Sequence, residues 1–140
     1  MATSLLILLC LSSMLVSSLA CTCAETTDVN VYCHSDFVVR AEVLAAVTFQ
    51  EEFRVYYINI VDNLRTNKSS IPPGASINEQ FIVTPIHGGL CGVQLSVGQV
   101  SLVAGQYRLR GSTYFMETNL CINFMEPHTF NPHPSLCKMH

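Results

Sequence analysis

The chain has 140 residues, with 7 Lys and Arg against 10 Asp and Glu and a formal charge of −3. That slightly acidic balance excludes the basic surface by which a domain holds nucleic acid, so no nucleic-acid partner is expected. Every one of these charges lies beyond residue 20, and no later stretch approaches the ~20 apolar residues of a membrane span, so no membrane partner is expected either.

Met1 to Leu19 is apolar and uncharged, with Leu5–Leu11 and Met14–Val16 as its core. Ser18 and Ala20 supply the small residues that signal peptidase prefers, so residues 1–20 are read as a secretion signal and the product as extracellular. Leu19-Ala20-Cys21 also resembles a bacterial lipid-anchor site, but Ser18 stands where such signals want Leu. Removal of residues 1–20 from the 140 leaves 120, enough for one domain, 21–140, with a real core.

Cleavage after Ala20 makes Cys21 the first mature residue, followed by Thr22, Cys23 and Ala24. Thr27 to Asp36 is read as a short helix capped by Thr26 or Thr27. Phe37 to Thr48 alternates, with Phe37, Val39, Ala41, Val43, Ala45 and Val47 on one face and Arg40 and Glu42 on the other, the pattern of a half-buried strand. Phe53 to Leu64 reads as a second strand. Asn67 to Gly74 is a turn region with Pro72-Pro73-Gly74, and Ile77 to Thr84 is a third strand stopped by Pro85. Val97 to Ala104 and Ser112 to Asn123 complete the set. Pro127 to His140 is expected to be irregular and tied down by Cys137. Strands of this number with one short helix fit a closed OB-fold barrel, with a two-sheet sandwich as the other possibility.

Cys10 leaves with the signal, which turns seven cysteines into six: Cys21, Cys23, Cys33, Cys91, Cys121 and Cys137. An even set in an exported chain reads as disulfides, with fifteen pairings open. Zinc bound by Cys21 and Cys23 competes, but no second close pair follows. Cys91 in Gly88-Gly89-Leu90-Cys91-Gly92 has the bland reading of a disulfide in a glycine-rich connector and the sharper one of a nucleophile. Enzymatic signatures such as G-x-S-x-G or H-E-x-x-H do not occur. His34, His87, His128, His133 and His140 show no helical i,i+4 pairing and read as surface or loop residues. Arg108 and Arg110 read as a solvated strand face. Asn67-Lys68-Ser69 is a glycosylation sequon in a turn.

The terminus carries the most suggestive chemistry. In an extended segment residues i and i+2 point to the same side. Cys21 and Cys23 can therefore both bond down onto the body while Thr22 projects away. A terminal amine has a reference pKa of about 7.7–8.0, so its lone pair is available near neutral pH. That amine and the Cys21 carbonyl oxygen form a five-membered chelate, suited to displacing water from the open position of a catalytic zinc in another protein. A disulfide knot that merely ends the chain fits the same spacing.

Cys21-Thr22-Cys23-Ala24, then Cys33 and Ser35-Asp36-Phe37-Val38-Val39-Arg40-Ala41, resembles the start of the tissue inhibitors of metalloproteinases. The likeness runs on through Phe81-Ile82-Val83-Thr84-Pro85, Cys91-Gly92-Val93, Leu102-Val103-Ala104-Gly105 and Leu120-Cys121-Ile122-Asn123-Phe124, collinear over essentially the whole mature chain. The resemblance implies an all-β fold with short helices: a five-stranded OB-fold barrel of the netrin-like kind, stapled by disulfides. Those it implies are Cys21–Cys91, Cys23–Cys121 and Cys33–Cys137. It further implies that Cys21 chelates a target protease's zinc and that Thr22 enters the pocket beyond the scissile bond. Cys23 and Ala24 would then follow the primed subsites, with Gly89 and Leu90 on the other side of the cleft.

The sequence departs from the family pattern in having no counterpart of the second six-cysteine domain of vertebrate members. It also has a short Thr48 to Glu52 loop and a compressed, proline-rich stretch between Cys121 and Cys137. The expectation is a secreted, monomeric, non-enzymatic inhibitor of zinc metalloproteinases with no cofactor of its own, the zinc being the target's. The alternative is a netrin-like binding module for a receptor, matrix component or growth factor that touches no zinc. The two share a fold, and fold does not determine function.

Overall fold

The computed structural model describes residues 21–86 and 91–138. Five strands close a barrel: β1 (Phe37–Phe49), β2 (Phe53–Thr66), β3 (Ser76–Pro85), β4 (Val100–Arg110) and β5 (Thr113–Glu117). Their order around it is β1-β2-β3-β5-β4, with β3 and β5 parallel and the other neighbours antiparallel. This is the OB-fold arrangement, and it removes the open sheet edges that a flat five-stranded sheet would leave. Among the described residues no helix is long and apolar enough to cross a membrane.

Helix α1 (Asp28–His34) begins where Thr27 accepts the Asn30 N–H at 3.2 Å, with Asp28 in the first turn. That cap satisfies one orphan donor, and the acid complements the helix dipole. Ser35 ends the helix in extended backbone, its hydroxyl donating to the Val31 carbonyl at 2.6 Å. The Pro72–Ala75 turn closes with Ala75 N–H on the Pro72 carbonyl and Gly74 at φ +81°. These are the features of a type II turn with proline at its second position.

The barrel interior is filled by residues such as Phe37, Val39, Val43, Tyr56, Ile82 and Met116. A second cluster lies outside the β1–β4 wall, where α1 and the tail bring Val31, Tyr32 and Phe124 against Val38, Leu102 and Ala104. Phe124 and Phe130 stack at 5.0 Å. Val38 is thus buried on the face where alternation placed Arg40 and Glu42, because helix and tail cover that end of the strand.

Three expectations change. Ala45 and Val47 do not continue the face of Val43, because the pairing with β2 slips between Val43 and Ala45. A bulge of this kind turns the following residues to the opposite side. Strand β4 runs to Arg110, past the expected end at Ala104. Gly105 does not break it: a Cβ there would collide with the Glu117 carbonyl and the Phe37 ring, so the strand needs glycine to pass. Strand β5 stops at Glu117, short of Asn123: the Thr118 N–H still reaches the Val83 carbonyl of β3, but on the β4 side the side chains of Thr118 and Asn123 take the Ala104 backbone groups in place of a ladder. In the tail, the expected irregular structure includes a 3-10 turn over Pro134–Lys138.

Candidate functional site

Cys21 to Thr27 carries no helix or strand and is tied to the connectors that follow β3 and β5. Cys21 is bonded to Cys91 and Cys23 to Cys121, with Cα separations of 5.1 Å in both. The closed loops span 70 and 98 residues, so in the chain-entropy account each bond is worth about 4–5 kcal/mol. Cys33 in α1 is bonded to Cys137 in the 3-10 turn. The four sulfurs of Cys21, Cys23, Cys91 and Cys121 lie within 4.8 Å of one another. With both pairs oxidised, these four offer no thiolate to a metal and Cys91 offers no nucleophile.

Buried side chains fix both receiving loops. The Thr84 hydroxyl accepts the Val93 N–H at 2.8 Å. Tyr56 donates to the Val93 carbonyl at 3.2 Å and accepts the Leu95 N–H at 3.0 Å. On the other side, Thr118 donates to the Ala104 carbonyl at 2.6 Å, and Asn123 Oδ1 accepts the Ala104 N–H at 3.0 Å. Gly92 lies so close to the Pro85 carbonyl that a Cβ has no room. Cys91 holds φ +61°, a left-handed conformation that the surrounding bonds impose.

Thr22, Cys23 and Ala24 are exposed and Cys21 is half-buried. Beside them, Leu120 and Met125 are 52% and 67% exposed and line a groove shared with Cys23 and Ala24. The loop carrying Met125 is clamped by Asp28, whose carboxylate accepts the N–H groups of Met125 at 2.8 Å and Glu126 at 3.1 Å. The roles of Leu120, Met125, Thr84 and Thr118 carry no local signal in the sequence. Asp28 does carry one, as a first-turn acid, though for the helix and not for the loop. His34, His128 and His133 are exposed. Residues 1–20, His87, Gly89, Leu90 and His140 lie outside the described residues. Asn67 sits in its turn with Oδ1 accepting the Ser69 N–H at 3.1 Å.

The family model for tissue inhibitor of metalloproteinase matches residues 19–130, which takes in the terminal segment, both receiving loops and the whole barrel. The chain belongs to that family. Tissue inhibitors of metalloproteinases are inhibitors and not enzymes, and the barrel with its three disulfides is the family's netrin-type OB-fold. Membership brings metalloproteinases as partners. In this tissue inhibitor the match begins just before Cys21 and reaches Phe130, the ring that stacks on Phe124.

Proposed function

We propose that the protein is a secreted inhibitor of zinc metalloendopeptidases of the matrix-metalloproteinase type, acting through the α-amine and carbonyl oxygen of Cys21. On this reading residues 1–20 are a signal peptide, and residues 21–140 form the inhibitory domain. The observation that carries it is the terminus itself, where two cysteines on either side of an exposed Thr22 are each tied to the body. A segment held in this way loses little further freedom on binding, so its contacts convert into affinity with a small entropic cost.

The amine is neutral enough near pH 7 to donate its lone pair, and with the adjacent carbonyl oxygen it presents a bidentate donor to the target's zinc. Thr22 fills the pocket beyond the scissile-bond position, while Cys23 and Ala24 run along the primed side and Gly89 and Leu90 along the other. Inhibition is competitive and reversible. One monomer carries the complete ridge, and the metal belongs to the target. Asn67 carries a glycan on a turn remote in sequence from the ridge.

The deciding experiment retains Ala20. An extra residue converts the Cys21 amine into an amide, a poor metal ligand, and moves the new amine by about 3.8 Å. Inhibition of a zinc endopeptidase is expected to fall by orders of magnitude while the thermal midpoint barely moves. Carbamylation of Cys21 removes the lone pair with less bulk and should act alike. Full inhibition by homogeneous Ala20-extended protein refutes chelation. Failure of the mature protein itself to inhibit any zinc endopeptidase, with partner capture indifferent to the added Ala20, favours a receptor- or matrix-binding module.

A further inference from the structure

We propose that the outer face of the β1–β2–β3 wall is a binding site for an amphipathic carboxylate, a small molecule with an apolar body and one anionic head. The bulge at Leu44 builds this face. Beyond it the register sets Ala45 opposite Tyr57 and Phe81, Val47 opposite Val55 and Val83, and Phe49 opposite Phe53 and Pro85. These three apolar rows lie on the side opposite the interior residues Tyr56 and Ile82. Strands apolar on both faces call for cover on both. Helix α1 and the tail cover the β1–β4 wall instead. Val47, Phe49 and Tyr57 remain 44%, 55% and 40% exposed.

Of these rows, every residue but Ala45 and Pro85 lines a groove of about 520 Å³, joined by Phe115. The Tyr57 and Phe81 rings meet edge to face at 4.6 Å. This volume falls within the usual range of small-molecule sites, which are mostly apolar with a few placed polar groups. The polar residues here are Gln50 and Arg110, and Arg110 is the one charged residue lining the groove among those described. Its guanidinium lies 4.2 Å from the centre of the Phe53 ring, and Nη2 donates to Glu117. Nε is buried with no hydrogen-bond partner. A guanidinium has five N–H donors, so a single carboxylate leaves it able to take another. With Glu117 on one edge of the guanidinium and its remaining N–H donors facing largely apolar walls, the groove selects an apolar body with a negative head, because those walls strengthen a hydrogen bond to the guanidinium.

The test uses mature protein and an anilinonaphthalene sulfonate dye, itself an apolar anion, read by fluorescence. Saturable one-to-one binding is expected, with displacement by dodecanoate below its micellar range and about tenfold weaker displacement by dodecanol. Val47→Asp places a like charge on the exposed groove wall and should weaken dye binding about tenfold or more, with the thermal midpoint little changed. Arg110→Met keeps the apolar stem and should abolish the preference for dodecanoate over dodecanol. Should Arg110→Met fail to fold, Val47→Asp decides alone. Non-saturable dye binding, binding unchanged in Val47→Asp, or equal displacement by acid and alcohol overturns the proposal. So does sedimentation as a dimer that excludes the dye, which assigns the face to a second copy.

Discussion

The N–H of Leu120 donates to the carbonyl oxygen of Cys91 at 2.7 Å, joining the two loops that receive the terminal cysteines. Cys91 belongs to the connector after β3 and Leu120 to the one after β5, and these strands pair in parallel. The parallel pair sends both chain ends out of the barrel at the same end. The bond between Leu120 and Cys91 then sets their spacing, and the two disulfides transmit it to Cys21 and Cys23. The terminus is held by the barrel through this chain of contacts, not by its own local structure.

Thr22 stands exposed between the two anchored cysteines, so its side chain is available to a partner and contributes little to the free fold. Thr22→Gly should weaken inhibition by about 1–3 kcal/mol, unequally among proteases with pockets of different size. Inhibition constants across a panel of metalloproteinases check this. Equal potency of the variant against every susceptible enzyme places the contact elsewhere.

Gly105 lets β4 cross between Phe37 and the Glu117 carbonyl. Gly105→Ala forces a methyl group into closed packing, and backbone atoms on the Glu117 side cannot rotate away. Destabilisation of about 3 kcal/mol is expected in denaturant unfolding, as for overpacking at a fully buried site. Gly111→Ala, where nothing lies within 4 Å but φ is +62°, should cost less, about 1 kcal/mol.

The β1–β2 hairpin turns through Gln50 and Glu51, with φ of +53° and +58°. This is the type I′ geometry that favours Asn-Gly and disfavours residues with larger side chains. The double change Gln50→Asn with Glu51→Gly is therefore expected to raise stability by about 1 kcal/mol. Thermal unfolding should show a higher midpoint. An unchanged or lower one means the turn relaxes differently in solution.

At the far end of the barrel interior, Tyr107 donates to Glu79 at 2.6 Å and Lys68 pairs with the same carboxylate at 3.0 Å. Burial pushes the Glu79 pKa up. The hydrogen bonds from Tyr107 and Lys68 and the charge of Lys68 outweigh it and hold the group below the usual 4.5. A carboxyl depressed on folding adds stability above its unfolded pKa, and that stability is lost as pH falls through the folded value. Tyr107 is shifted upward, by burial first and then by its bond to Glu79 and the charges of Glu79 and Asp36. The unfolded tyrosine ionises near 10 while the folded one keeps its proton, so stability should also fall above that pH. Glu79→Gln should flatten the acid limb of a stability–pH curve below 4.5. An unaltered acid limb shows that other carboxylates govern it.

Several elements are legible in the sequence because they depend on near neighbours. Thr27 as helix cap, Pro72-Pro73-Gly74 as a turn and Pro85 as the end of β3 each follow from the conformational limits of a few adjacent residues. The likeness to the family is legible too, since Cys21-Thr22-Cys23 and the motifs after it are linear patterns. The side on which Ala45 and Val47 lie is not legible. Period-2 alternation carries no sign of a bulge, and the slip at Leu44 arises from fitting β1 to β2 in a closed barrel. Passage of β4 through Gly105 is hidden for a similar reason: a glycine marks a break unless Phe37 and Glu117 crowd it from other strands.

By itself, then, the sequence determined which residues are apolar, where the chain turns, and that six cysteines lie beyond residue 20, because these depend on side-chain chemistry and on steric limits of neighbouring residues. Spacing left the cysteine pairing open and only the likeness to the family implied it; the tertiary structure closed those three bonds. It also brought Asp28 to the Met125 loop, Thr84 and Tyr56 to the Cys91 loop, and Arg110 over Phe53. Each of these pairs joins residues far apart along the chain, and barrel closure makes such contacts through a register that short-range preferences do not encode.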